Sequence, residues 1–227
     1  MTKAGKVWPH QIKAVIFDND GVILDTLPLY YKALESFVPP PYDPKILDLT
    51  NGRSDLDVAA IYVNHYHLDM TPQEFVQRRS VILKGLFPNA KLIHGVERII
   101  RTIHDKGIPL AVATSSMREL HEVKISNHKD IYSLFNTMIC GNEVTKAKPS
   151  PEIFQTASKK LGDFNPENVL VFEDAFNGIK AANEAGMATC FLHKPFENNE
   201  EEYAKRGVNP AYQISSFDEF DFDKYIW

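Results

Sequence analysis

The sequence predicts an α/β fold: a doubly wound, mainly parallel sheet with a small α-helical domain inserted after its first strand. Three observations predict it. Short apolar runs recur without the polar alternation of a half-exposed strand, as expected for strands covered on both faces. Helix-periodic segments lie between them, and strand–helix–strand alternation argues for parallel pairing. Residues 27–92 break that rhythm, holding helix signals and no convincing strand.

The elements follow in chain order. Ala14–Phe17 is the first strand, ending at Asp18-Asn19-Asp20-Gly21. In the insert, Leu27, Tyr30, Tyr31, Leu34 and Val38 share one helical face, stopped by Pro39-Pro40-Pro41. A second helix is expected over Ser54–His67. A third opens at Thr71-Pro72-Gln73-Glu74, a capping box with proline at the first helical position. Beyond the insert, Val96, Ile99, Ile100 and Ile103 recur at helical spacing before the stop Gly107. Pro109–Ala113, Thr137–Cys140, Asn168–Phe172 and Ala188–Leu192 read as further strands. Between them, Ile153, Phe154, Ala157 and Leu161 mark one helix, and Ile179, Ala182 and Ala185 another that ends at Gly186. The expected division is a core of residues 1–26 and 93–227 around a helical insert of residues 27–92. The acidic, aromatic tail, ending FDEFDFDKYIW, carries no assignable chemistry.

The bulk numbers narrow the function. A chain of 227 residues suits a core plus a small insert, and 44% hydrophobic against 24% charged residues excludes disorder. A net charge of −5 with no dense basic cluster argues against a nucleic-acid partner. No window approaches 18 apolar residues, so no membrane span is expected. The N-terminus, MTKAGKVWPHQIK, lacks the apolar stretch of a signal peptide. Cys140 and Cys190 sit in strand-like runs and read as buried, reduced thiols. A soluble cytoplasmic protein fits these features. A monomer is the default, because the candidate site needs no second chain.

Ligands of open parallel sheets bind beyond the carboxyl ends of the strands. There the sequence puts Asp18 and Asp20 after the first strand, Thr114-Ser115-Ser116 after the second, Glu173-Asp174 after the fourth, and Lys148-Pro149-Ser150-Pro151 beyond the third. Four carboxylates gathered at one edge repel one another unless a cation joins them. Mg²⁺ suits them, since it takes hard oxygen ligands and keeps waters that a phosphate can replace. The threonine, the serine amides and the lysine supply a cradle for phosphate oxygens. Carboxylates, metal and cradle together describe phosphoryl transfer.

These residues also carry a family resemblance. Phe17-Asp18-Asn19-Asp20-Gly21-Val22 with Asp25-Thr26, Thr114 in AVATSS, Lys148 in KPSPEIF, and Glu173-Asp174 in VFEDAFNG resemble the four motifs of the haloacid dehalogenase-like superfamily, in order. The resemblance covers essentially the whole chain, and residues 27–92 stand where the family's helical cap stands. The run from ATSS to VFEDAFNGIKAANEAGM most resembles the pseudouridine 5′-phosphatase-like group. The resemblance implies a Rossmann-like core and a Mg²⁺-dependent phosphatase of small phosphorylated metabolites. It implies Asp18 as nucleophile and Asp20 as general acid and base. Mg²⁺ would be held by Asp18, the Asp20 carbonyl and Asp174, with Glu173 direct or through water. Thr114 and Ser115 would hold the phosphoryl oxygens, and Lys148 would balance charge.

Blander readings compete. Asp18-Asn19-Asp20-Gly21 could be a simple turn, and its glycine comes two places too early for a calcium loop. Glu173-Asp174 could cap the following helix. Lys146 is a neighbour of Lys148, but the family pattern of a lysine before Pro-Ser-Pro selects Lys148. His65 and His67, two apart on a helix, point to different faces and make a poor metal pair. Ser126 and Lys129 match a β-lactamase spacing without its companion motifs. A sugar-phosphate mutase of the β-phosphoglucomutase type shares all four motifs, but the resemblance places a histidine where this chain has Tyr30. A non-catalytic binding or regulatory module would be expected to have lost a nucleophile or metal ligand. In the insert, Asn51-Gly52-Arg53-Ser54 is the candidate substrate-facing loop, with Arg53 offering a planar donor fork.

Overall fold

The computed structural model describes residues 8–43, 46, 55–193 and 200–227. The chain divides into two compact units, Met1–Asp25 with Lys91–Trp227, and Thr26–Ala90. Among the described residues, eight strands lie in the first: β1 (Ala14–Phe17), β2 (Leu24–Asp25), β3 (Lys91–Leu92), β4 (Leu110–Ala113), β5 (Thr137–Ile139), β6 (Val169–Glu173), β7 (Ala188–Leu192) and β8 (Tyr212–Ile214). Six of them form one parallel sheet in the order β5-β4-β1-β6-β7-β8, while β2 and β3 make a separate antiparallel pair. The chain leaves β1 toward β4 on one side and returns to β6 on the other. That reversal opens a crevice at the carboxyl ends of these three strands.

Both faces of the sheet are covered, which explains the continuous apolar runs. Ala14 and Ile16 of β1 join a buried cluster with Ile153, Phe154 and Ala157 and with Ala181, Ala182 and Ala185. The latter two sets come from the helices Glu152–Leu161 and Phe176–Glu184, Ala185 being the C-cap of the second. On the alternate residues, Phe17 stacks on Phe172 with ring centroids 4.6 Å apart. The helix Val96–Asp105 buries the four residues its spacing singled out, Val96, Ile99, Ile100 and Ile103. Burying one such side chain fully contributes about 1.5–3 kcal/mol.

Several elements differ from the sequence reading. The short pair β2 and β3 lies outside that reading, and β3, Lys91–Leu92, falls at the end of the stretch read as holding no strand; two residues are too few to show a pattern. β8, Tyr-Gln-Ile, is too short and too polar to register as an apolar run; it becomes a strand by pairing in parallel with β7 at the sheet edge. The tail is core material. Phe217 and Phe220 pack against Phe172, with centroids 5.7 and 5.1 Å away, and the Ile12 amide donates to the Ile226 carbonyl at 2.6 Å.

The second unit contains the helices Leu27–Leu34, Asp55–His65 and Pro72–Leu86. The capping box is formed: the Glu74 amide donates to Thr71 Oγ1 at 3.2 Å and the Thr71 amide to Glu74 Oε2 at 2.7 Å. The helices bury Leu34, Val38, Ala59, Tyr62 and Phe75 against one another. Arg79 is nearly buried and pairs with Asp55 at 2.6 Å, its guanidinium 5.5 Å from the centre of the Phe75 ring. His65 faces Asp43 at 3.5 Å. No helix among the described residues is long and apolar enough to cross a membrane.

Candidate active site

The crevice collects its residues from four strand ends. Asp18 follows β1 directly, and its amide donates to the Phe172 carbonyl of β6 at 2.9 Å, which fixes the backbone at the strand exit. The chain then folds into a tight loop in which the Ile23 and Leu24 amides both donate to the Asn19 carbonyl at 2.9 Å. Gly21 makes this loop possible twice over. Its φ is +87°, a region that L side chains avoid, and a Cβ there would lie 2.0 Å from Asp174 Oδ2. Asp174, just beyond β6, therefore lies directly against the Asp18–Gly21 loop.

Lys148 links two of the carboxylates. Its ammonium donates to Asp18 Oδ1 and to Glu173 Oε1, each at 2.7 Å, and to the Ala113 carbonyl at 3.1 Å. Glu173 is 1% exposed, and its other oxygen accepts from the Ala175 amide at 2.7 Å. Both Glu173 oxygens are thus engaged by protein donors, and the carboxylate stands behind Lys148 and at the start of the next helix. Gly178 in that helix has no room for a side chain, since a Cβ would meet Glu173 Oε1 at 1.7 Å.

One lysine does not neutralise two buried carboxylates. Burial pushes the Asp18 carboxyl up to about 7; Lys148 opposes the shift, while Glu173 and Asp20 add to it. Burial also works to lower Lys148, but Asp18 and Glu173 outweigh it and hold the ammonium above its ordinary value. The direction on Asp18 reflects first its removal from water, which Lys148 does not fully offset.

Asp20 is held on a different side. Lys124, fully buried, donates to Asp20 Oδ1 at 2.6 Å and to Ser116 Oγ at 2.8 Å. Ser116 Oγ lies 3.1 Å from Asp20 Oδ2, and Thr114 Oγ1 lies 3.5 Å from it. Thr114 is buried, and its hydroxyl oxygen accepts from the Ser116 amide at 3.1 Å, shaping the loop after β4; Ser115 in that loop is exposed. Beneath the loop, the buried Tyr132 hydroxyl donates to Asn19 Oδ1 at 2.5 Å. His121, on the same short helix as Lys124, is buried and depressed to about 4 by that burial.

Of the residues singled out in the sequence, Asp18, Asp20, Thr114, Ser115, Lys148, Glu173 and Asp174 all fall at this edge of the first unit. Arg53 lies outside the described residues. Sequence reasoning missed Lys124 and Tyr132, and it read Ser116 for its amide rather than for the hydroxyl that meets Asp20 and Lys124. Lys124 in HEVK looks like any helix-surface lysine, and its one signal is the shared face with His121 three residues earlier. Cys140 and Cys190 are free and buried.

The donor set suits a hard divalent cation. The Asp18, Asp20, Glu173 and Asp174 carboxylates stand against the Lys124 and Lys148 ammoniums, a formal surplus of two negative charges. Among the described residues no three Asp, Glu, His or Cys side chains gather as a ready metal cluster. The resemblance asks for two carboxylates, a backbone carbonyl and water instead, a mixed oxygen set of the kind Mg²⁺ accepts.

Comparison with known proteins follows the same line. A family model described as haloacid dehalogenase-like hydrolase matches residues 15–192. A Drosophila melanogaster protein named "Probable pseudouridine-5'-phosphatase" is 36% identical over 193 residues, covering 82% of this chain and 84% of its own. An Arabidopsis thaliana (DL)-glycerol-3-phosphatase 2 is 32% identical, covering 81% and 80%. A solved structure of β-phosphoglucomutase from Clostridium difficile superposes with a TM-score of 0.71 at 22% identity, over 94% of this chain and 95% of that one, and shares the fold.

Proposed function

The chain belongs to the haloacid dehalogenase-like hydrolase family and is a phosphoric monoester hydrolase; from that premise we propose that it hydrolyses small phosphorylated metabolites by way of a phosphoryl group carried on Asp18. The observation that carries this reading is the Asp18–Lys148–Glu173 arrangement, a buried carboxylate aimed by a lysine that is itself anchored from behind.

In this account an Asp18 oxygen attacks phosphorus while Asp20 gives a proton to the departing alcohol oxygen. Asp20 then takes a proton from the water that attacks the aspartyl phosphate, and inorganic phosphate leaves. Thr114 and the Ser115 amide hold the phosphoryl oxygens, and Lys148 offsets charge between nucleophile and phosphate. Asp18, the Asp20 carbonyl and Asp174 would hold Mg²⁺, which would supply charge neutralisation and orientation of the phosphoryl group. Glu173 anchors Lys148 from behind and would reach the metal directly or through water.

Two relatives carry names that refer to small phosphate esters, a nucleoside 5′-phosphate and a glycerol phosphate. The proposed substrates are of that size: a nucleoside monophosphate such as pseudouridine 5′-phosphate, or a sugar phosphate. The helical insert, including Arg53, would select among them. Tyr30 favours hydrolysis over the mutase reaction, since a phenol does not exchange protons near neutrality as an imidazole does.

Phosphate release measured across a panel of nucleoside, polyol and sugar phosphates tests the proposal. We expect release from a subset, lost on chelation and restored by Mg²⁺. Release from none of them, or release that ignores chelator, contradicts it.

A further inference from the structure

We infer that Lys124 is a positioning residue for Asp20, and that the clamp it forms with Ser116 is what lets this site cleave esters of unactivated alcohols. The inference rests on the acid role proposed above for Asp20 and extends it to Lys124, which lies outside the family's four motifs.

The geometry carries it. The helix Arg118–Lys124 ends with its last side chain turned into the protein, 0% exposed, and the ammonium 2.6 Å from Asp20 Oδ1. The same ammonium holds Ser116 Oγ, which reaches the other carboxylate oxygen at 3.1 Å. Contacts on both oxygens restrict rotation of the carboxylate about its own bond. Asp20 remains 26% exposed at its side chain, so the clamp grips it from behind and leaves an outward side. The backbone beneath is braced as well, with Asn19 fully buried and bonded to the Tyr132 hydroxyl.

A buried ion pair is a poor device for stability, because taking two charges out of water offsets most of their attraction. An apolar side chain at position 124 facing a neutral partner would serve the core equally well. A lysine that grips one oxygen of Asp20 and orders the serine on the other does something an apolar residue does not: it fixes the direction of the carboxylate relative to Asp18, two residues upstream. Proton transfer in the transition state depends steeply on such placement. Activated aryl esters need little protonation of the leaving oxygen, whereas sugar and polyol esters need it fully.

The test compares wild type, Asp20→Asn, Lys124→Met and the double variant on the best alkyl phosphate of the panel and on p-nitrophenyl phosphate. Lys124→Met is expected to lower kcat about 100-fold on the alkyl ester and less than about fivefold on the aryl ester, with KM little changed. The double variant should lose no more than Asp20→Asn alone, because both act through one group. Should Lys124→Met fail to fold, Ser116→Ala carries the comparison, with a smaller split in the same direction. Equal loss on both esters beside an Asp20→Asn that does split them overturns the clamp alone. Absence of a split in Asp20→Asn itself overturns the acid role, and the clamp with it.

Discussion

Replacing Asp18 by Asn reduces phosphate release to below about one-thousandth of wild type, because the attacking oxygen is gone and the remaining groups only orient substrate. The fold survives. In the metal-free wild type, burial holds the Asp18 carboxyl up to about 7 against 3.8 when unfolded. A raised value means a contribution that is whole below about pH 3.8 and is lost as pH rises through 7. Asparagine does not ionise, so Asp18→Asn lacks this loss. In chelator, its melting temperature at pH 8 should equal or exceed that of wild type, while turnover disappears. Circular dichroism melts beside steady-state phosphate release check both halves. A variant that melts far lower would mean that activity was lost through unfolding.

Lys148→Met produces the opposite pairing, loss of activity together with loss of stability. Lys148 is 7% exposed and bonded to both Asp18 and Glu173. Its removal leaves two buried carboxylates facing each other without a cation, a change that typically costs about 3–5 kcal/mol. The deficit should be largest at pH 8 and shrink toward pH 5, as Asp18, without the lysine that opposes its raised value, takes up a proton. Phosphate release should fall at least about 100-fold, since the charge that balances nucleophile and phosphate is lost. Denaturant unfolding at the two pH values measures the first effect. Equal stability of variant and wild type at pH 8 would show that the lysine does not balance these carboxylates.

The contrast between Lys148 and Lys124 shows what a sequence makes legible. Lys148 stands before Pro-Ser-Pro, in a recognisable setting, and the strands around the site are buried on both faces and so announce themselves as unbroken apolar runs. Asp18, Asp20, Glu173 and Asp174 follow such runs directly, which places them by topology alone. Lys124 reaches the same crevice from a seven-residue helix. Apart from the face it shares with His121, nothing in its neighbours distinguishes a lysine turned inward from one in solvent. β8 and the aromatic tail were illegible for a related reason: their places depend on partners far along the chain, β7 and Phe172. The pairing of Glu173 with Lys148 is likewise tertiary. Its one local trace is Gly178, five residues on, where the helix must pass close to the carboxylate.

The central claim is that a phosphoryl group rests on Asp18 during turnover. Acid quenching during steady-state turnover, followed by borohydride reduction and peptide mass spectrometry, reads this directly. The account predicts homoserine at position 18, formed when borohydride reduces the aspartyl phosphate and phosphate departs, on the peptide that contains AVIFDND, absent from the Asp18→Asn protein and from samples quenched without substrate. Full phosphate release with no protein-bound phosphoryl group at any quench time would contradict it and point to direct attack by water.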